Sequence, residues 1–197
     1  LLTGMAIGTM NYVQEKAARS RAEADIELIR NALEEYRMKF GDYPTNRVLD
    51  DVKRMYEDYH PFGGDRVYLP YEYIGYIAGA RLVHQLRHAA EIDDSELSQL
   101  VYSHPKARDE VGLNENIGGE PVATNTTIDI NIRAFVDPWD LPYIYQYEEP
   151  NHYRLWSFGP QKTGTYFQAW NPKNLPSDAD SLFEHYDPSR RIGDGTP

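Results

Sequence analysis

The chain has 197 residues, 31 Asp and Glu against 20 Lys and Arg, a net charge of -11 and no cysteine. That length suits one domain, or one domain with an insertion, and is enough to bury a real core. The acidic balance excludes a nucleic-acid or anionic-membrane surface as partner, because phosphate binding needs clustered Lys and Arg, while the missing cysteines exclude thiol catalysis and zinc-thiolate sites and leave the redox compartment open.

From Leu1 to Lys39 the pattern predicts one uninterrupted helix that begins apolar and becomes charged. Leu1 to Val13 carry only Thr3, Thr9 and Asn11 as polar side chains and no charge. From Gln14 onward the surface is polar. Ala22, Ile26, Ile29, Leu33 and Tyr36 then recur at spacings of three and four, with Leu28 and Ala32 widening the stripe, while Arg21, Glu23, Asp25, Glu27, Arg30 and Glu34 carry the other face. This half is expected to dock on a domain. Gly41 can adopt the left-handed conformation just past a helix end, Pro44 prevents resumption, and Arg37 and Lys39 suit the negative end of the helix dipole. The rod would be on the order of 55 to 60 Å long, more than a domain of this size needs for its own core.

A bilayer-spanning helix takes about 20 apolar residues, so Leu1 to Val13 alone are too short. The run also lacks the positive start and cleavage site of a signal peptide. It reads as the C-terminal part of a hydrophobic helix with on the order of ten residues preceding Leu1; the alternative is a helix buried against a partner.

Residues 46–127 read as an elaborated, partly helical insertion. Asn46 to Tyr59 has helical spacing at Val48, Val52 and Met55, and Pro61, Gly63 and Gly64 mark a loop. Tyr68 to Leu86 gives a helical face of Ile74, Ile77, Ala78, Leu82 and Leu86, weakened by Gly75 and Gly79. Asp93, Asp94 and Ser95 cap a short helix expected from Glu96 to about Tyr102. Asp109 to Thr127 reads as irregular surface.

At Ile128 the period changes to two, with Ile128, Ile130 and Ile132 alternating with Asp129, Asn131 and Arg133, which predicts a strand or extended segment. A turn at Asp137-Pro138-Trp139-Asp140-Leu141-Pro142 leads into a predicted hairpin of 143–147 and 153–158 around a break at 148–151. Beyond Gly159-Pro160 the composition predicts a loop-rich tail that wraps the domain or meets a neighbour. The chain thus divides into 1–45, 46–127 and 128–197, with one globular head overall, and its class is α+β.

Taken in order, the apolar helix start, the run Tyr36 to Thr45 containing Gly41, Tyr43 and Pro44, then Asp137-Pro138-Trp139 with Pro142-Tyr143, and Leu155-Trp156-Ser157-Phe158-Gly159-Pro160, resemble the type IV pilin-like family, and within it the major pseudopilins of type II secretion systems. The resemblance covers Leu1 to Thr45 and Ala134 to Thr165. It implies a long protruding helix packed on a C-terminal antiparallel sheet, with Trp139 and Trp156 as buried anchors. It also implies a subunit without chemistry of its own, polymerising with itself into a periplasmic pseudopilus that pushes folded substrates through an outer-membrane channel, driven by a cytoplasmic ATPase. The implied partners are further copies of the chain, minor pilin-like subunits, an inner-membrane platform protein and a prepilin peptidase that leaves a methylated N-terminus. The implied location is the bacterial inner membrane and periplasm. Leu1, Leu2, Met5, Ile7, Met10 and Val13 are then expected in the filament core, and Ile26, Ile29, Leu33 and Tyr36 at the junction of shaft and head.

Two features depart from the family pattern. The Phe start with a Glu four residues later is absent. Where related pseudopilins carry an Asp-Gly pair opening a calcium loop, this chain has Gln161 and Lys162, and an ammonium repels a cation; Asp178, Asp180, Glu184 and Asp187 read as an acidic solvated tail. No cofactor is expected; calcium remains open as what the resemblance implies, since Asp178, Asp180, Glu184 and Asp187 could also supply oxygens. His84 and His88 have the spacing of two metal ligands but no third ligand, Ser157 lacks the flanking glycine of a nucleophile elbow and reads as a strand residue, and Asn125-Thr126-Thr127 is a chance sequon. Two other readings are an extracellular pilus subunit for adhesion, with 46–127 as its outward surface, and a membrane-tethered ligand-binding or enzymatic domain.

Overall fold

The computed structural model describes residues 2–45, 69–89, 95–103, 113–117, 120–124, 133–149, 151–160, 166–167 and 188–193. Its elements are α1 (Leu2–Phe40), β1 (Leu69–Pro70), α2 (Tyr71–His84), α3 (Ser95–Gln99), β2 (Val101–Ser103), β3 (Leu113–Ile117), β4 (Glu120–Thr124), β5 (Arg133–Phe135), β6 (Ile144–Glu149), β7 (His152–Trp156) and β8 (Tyr166–Phe167), with a 3-10 turn at Pro188–Arg190. The mix is α+β, a long N-terminal helix with antiparallel strand pairs.

The 39 residues of α1 end where the sequence predicts. Gly41 stands at φ 84°, and its amide donates to Arg37 O at 2.7 Å. The space around Gly41 is open, so it is the left-handed backbone and not crowding that favours glycine there. Ion pairs Arg19–Glu15, Arg30–Glu27, Arg37–Glu34 and Lys39–Glu35, at one-turn spacing, line the outer surface of the helix; such exposed pairs each add only a few tenths of a kcal/mol, about 0.3 to 0.5.

Antiparallel pairs join β1 to β8, β2 to β5, β3 to β4 and β6 to β7. Two isolated bridges, Val136 with Pro142 and Ser157 with Ile192, extend the β2, β5, β6 and β7 pairings into a succession. Tyr143 N donates to Phe135 O and Val136 N to Leu100 O, both at 2.8 Å. Against this surface the buried stripe of α1 packs with Leu82, Val83 and Leu86 of α2 and its π-helical extension Gln85–Ala89, Leu97 and Leu100 of the α3 region, and Tyr145, Tyr153 and Leu155 of the hairpin. Each fully buried Ile or Leu contributes about 1.5 to 3 kcal/mol relative to exposure.

The two glycines that weaken the prediction of α2 are its contact points. A Cβ on Gly75 would lie 2.6 Å from Pro142 Cγ, and one on Gly79 would lie 3.1 Å from Tyr143 O and 3.2 Å from Ala134 Cβ. The helix-propensity loss of about 1 kcal/mol per glycine is offset by close packing of α2 on the strand side.

Several expectations are corrected. The short helix stops at Gln99, and Val101 and Tyr102 lie in β2 opposite Phe135 and Ala134, because pairing with β5 outweighs the weak preference of a five-residue helix. Within 109–127, expected to be irregular, β3 and β4 pair from Leu113–Thr124 to Ile117–Glu120; Gly118-Gly119, the two residues between them, is a hairpin signal passed over because large apolar side chains are few there. The hairpin break is shorter than expected, with Glu149 opposite His152 and Asn151 at φ 68°, a conformation Asn tolerates. Within the tail, β8 pairs with β1 and Ile192 bridges Ser157. The predicted helix at 46–59, the alternating segment 128–132, the sequon and the acids at 178–187 lie outside the described residues.

Candidate functional site

The sequence nominates three places, the apolar start of α1, the junction where α1 meets the head, and the turn after β5. The two in the helix occupy very different surroundings. Met10, Tyr12 and Val13 are 63%, 69% and 63% exposed, and all of the residues 10–17 are exposed. Eight successive helical residues cover every direction around the axis, so no face of this stretch is covered by the head. Twelve residues on from Met10 the situation reverses: Ala22 and Ile29 are fully buried, Ile26 is 2% exposed and Leu33 fully buried. Tyr36 is partly buried against the same core and stacks on Phe40 at 4.5 Å. Leu2, Met5 and Ile7 belong to α1, and Leu1 lies outside the described residues.

A row of phenols fixes the junction. Tyr143 OH donates to Asp25 Oδ2 at 3.1 Å, with Ala22 O at 3.5 Å. Burial raises the pKa of Asp25, opposed by the Tyr143 hydrogen bond and the Arg21 charge. Tyr145 OH donates to Pro44 O at 2.7 Å, and Tyr147 OH to Asp42 Oδ2 at 2.8 Å. The other oxygen of Asp42 accepts from Tyr43 N at 2.8 Å and Asn151 N at 3.0 Å, and the Asn151 bond is the main reason its pKa is lowered. Tyr43 OH donates to Glu34 Oε1 at 2.5 Å, the Arg37 guanidinium lies 5.1 Å from its ring centre, and its edge meets Tyr153 at 4.6 Å. Burial, then the hydrogen bond to Glu34, raises Tyr43 to about 12. The Gly41, Tyr43 and Pro44 run therefore both ends the helix and ties that end to β6 and β7.

The turn after β5 is organised by Asp137, which is 3% exposed. Its Oδ1 accepts from Trp139 N and Leu141 N, each at 2.9 Å, and its Oδ2 accepts from Ser157 Oγ at 2.6 Å. Ser157 Oγ in turn accepts from Gly159 N at 2.8 Å. Desolvation outweighs these hydrogen bonds and pushes the Asp137 carboxyl up to about 6. Because Ser157 is fully buried and its hydroxyl is engaged on both sides, the pair fixes a turn and offers no approach to a substrate. Asp140 takes φ 62° and its amide reaches Asp137 O at 3.0 Å, so that Pro138 and Trp139 sit at the tip of a closed loop.

One anchor holds and one is corrected. Trp156 is fully buried, flanked by the guanidinium groups of Arg154 and Arg191 at 5.1 and 5.2 Å. Trp139 is only partly buried and packs against the rim of the core, because the Asp137 bonds hold the turn tip outward. Ser157, expected as a strand residue, continues β7 in a bridge to Ile192, and its hydroxyl also bonds Asp137.

His84 is exposed and ends α2, and His88 lies in the π-helical turn Gln85–Ala89. Among the described residues no group of three His, Cys, Asp or Glu could hold a metal, and no helix is long and apolar enough to cross a membrane. Sequence reasoning missed the Tyr143–Asp25, Tyr145–Pro44 and Asp137–Ser157 pairs, which join residues 118, 101 and 20 positions apart. The available signals were Asp25, read with Glu23 and Glu27 on the polar face although it directly precedes Ile26 of the apolar stripe, and the tyrosine-rich β6. No protein-family model, no curated protein and no solved structure matches the chain.

Proposed function

We propose that this chain is a structural subunit of a helical pilus-like filament, of the pseudopilus kind that drives protein export, and that it performs no chemistry. The observation that carries the reading is the division of α1: residues 10–17 are exposed on every face while Ala22, Ile26, Ile29 and Leu33 are buried in the head. A helix bearing Met10, Tyr12 and Val13 in water gains from burying them against other helices, and a rod fixed to a head by its second half presents them away from that head. In this reading the architecture is a shaft, 1–45, bearing a C-terminal sheet, 128–197, with a partly helical insertion, 46–127. Leu1, Leu2, Met5, Ile7, Met10 and Val13 form the filament core. Its partners are further copies of itself, minor pilin-like subunits, the inner-membrane platform protein and the prepilin peptidase, and it resides in the inner membrane and periplasm.

Electron microscopy of the protein expressed with its assembly machinery tests this. Filaments whose central density fits α1 are expected, and long filaments on intact cells would replace the secretion role with an adhesive one. Monomers alone, under conditions that assemble a control pilin, would overturn the filament and favour a tethered domain.

A further inference from the structure

The segment 190–193 lies against Ser157, the buried partner of Asp137. Ser157 stands at the centre of the contact: its backbone exchanges hydrogen bonds of 2.9 and 3.1 Å with Ile192, and its Oγ donates to Asp137 Oδ2 at 2.6 Å while accepting from Gly159 N at 2.8 Å. Gly159 lies so close to Arg190 that a Cβ there would collide with the Arg190 carbonyl. Ser157 is fully buried, Asp137 is 3% exposed and Ile192 6%, so water reaches the carboxyl only if a neighbour moves. Besides Ile192, the segment is joined to the head by Arg30 Nη2 donating to Gly193 O at 3.2 Å, by Arg190 Nη1 donating to Pro160 O at 3.0 Å, and by the Arg191 guanidinium 5.2 Å from the Trp156 ring centre.

We propose that this segment is a pH-responsive cover over the Asp137–Ser157 pair, docked while Asp137 carries a proton and released when Asp137 ionises. In the protonated form Oδ1 still accepts from Trp139 N and Leu141 N, while Oδ2 becomes a donor to Ser157 Oγ, whose two lone pairs take both it and the Gly159 amide. The ionised form keeps three hydrogen bonds but is a buried carboxylate, and burial outweighs them, so the carboxyl stands at about 6 against an ordinary 3.8. Docking is therefore fully supported below about 3.8, and that support is lost as pH rises through about 6. Lifting Ile192 off Ser157 admits water to the pair and relieves the desolvation without unfolding α1, since a short stretch of this kind opens at lower free energy than the core. Asp140, on the same turn, raises Asp137 further. The Tyr143 phenol, held high by burial and by the charges of Asp25 and Asp137, stays neutral through this range; Asp25 bonds that phenol, and the Arg21 charge acts on both. Arg154 of β7 and Arg191 of the segment lie at Trp156, and Arg190 at Pro160. The cover belongs to the single subunit, whether or not it polymerises.

Hydrogen exchange of the full chain between pH 4 and pH 7, followed by NMR and corrected for the intrinsic pH dependence of exchange, reads this opening at single amides. Protection of the Ser157 and Ile192 amides should fall on the order of fiftyfold over that range, the ratio set by a carboxyl at about 6 when covered and at 3.8 when released, while the amides of Ile29 and Leu33 in α1 keep their protection. Asp137→Asn, which imitates the protonated acid, should hold the protection of Ser157 and Ile192 level throughout. If that variant does not fold, Ser157→Ala, which removes the hydrogen bond favouring the carboxylate, should make the fall larger. An equal loss at Ile29 and Ile192 would mean that the proton acts on the whole fold. Level protection in the parent, or an undiminished fall in Asp137→Asn, would mean that Asp137 does not govern the segment. Each of these outcomes overturns the cover.

Discussion

Tyr143 donates its phenolic hydrogen to Asp25 across 3.1 Å, from the strand side of the head to the long helix α1. Asp25 is 9% exposed and Tyr143 1%, so neither group can exchange this partner freely for water. The pair therefore fixes the rotational setting of α1 on the head, which apolar packing alone leaves less specified.

Tyr143→Phe keeps the ring and leaves a buried carboxylate without its donor. A loss of about 1 to 3 kcal/mol is expected, measured by urea unfolding. Adding Asp25→Leu should recover part of it, and the cycle should show a coupling of about 1 kcal/mol or more. Strictly additive effects would mean that the hydrogen bond does not join helix and head.

Asp137 sets a pH dependence with a definite sign. Its carboxyl is raised from 3.8 to about 6, so between those values the folded protein holds a proton that the unfolded chain has released. Its contribution is fully present below about 3.8 and lost as pH rises through about 6, a difference on the order of 3 kcal/mol. Asp137→Asn keeps Oδ1 for the two backbone amides and offers an N–H to Ser157 Oγ. The stability difference between this variant and the parent should therefore move in the variant's favour from pH 4 to pH 7. Asp25, also raised, acts in the same direction in both proteins and cancels from the comparison. Asp42, lowered, acts oppositely: its contribution is present above about 3.8 and lost as pH falls through its folded value, so the titration stays above pH 4. Parallel curves for the two proteins would exclude Asp137 as the source.

Gly75→Ala should destabilise although alanine favours helices by about 1 kcal/mol. The added methyl meets Pro142 Cγ at 2.6 Å, and overpacking of this kind costs about 1 to 3 kcal/mol. A raised melting temperature would show that α2 can move away from the strands without loss.

In the proposed filament, Val13→Asp should leave the folded head unchanged, because Val13 is 63% exposed, and should abolish assembly by placing an unpaired charge among the packed helices. Circular dichroism and electron microscopy of one preparation separate the two effects. Normal filaments would remove Val13 from the core.

The helix was legible because its signals are local: Gly41 and Pro44 stop it, and Ile26, Ile29 and Leu33 repeat at helical spacing on the face that is buried. The β6–β7 hairpin was legible for the same reason, from aromatic and branched residues on either side of a turn. The β3–β4 hairpin and strand β2 were not, since weak local preferences there yield to pairing with a partner strand. Gly75 and Gly79 lower the helix signal of α2 locally, and their role lies in the close approach to Pro142, Tyr143 and Ala134 that only the fold brings about.

By itself the sequence determined a long helix, apolar then amphipathic, and a hairpin near the C-terminal end of an acidic domain, because periodicity, capping and charge act over a few residues. Tertiary structure alone decided that α1 stands clear of the head at 10–17, that Asp137 takes Ser157 as its partner, and that Ile192 returns to the end of β7. Those relationships join residues far apart in the chain, and they depend on which buried polar groups find one another once water has been excluded.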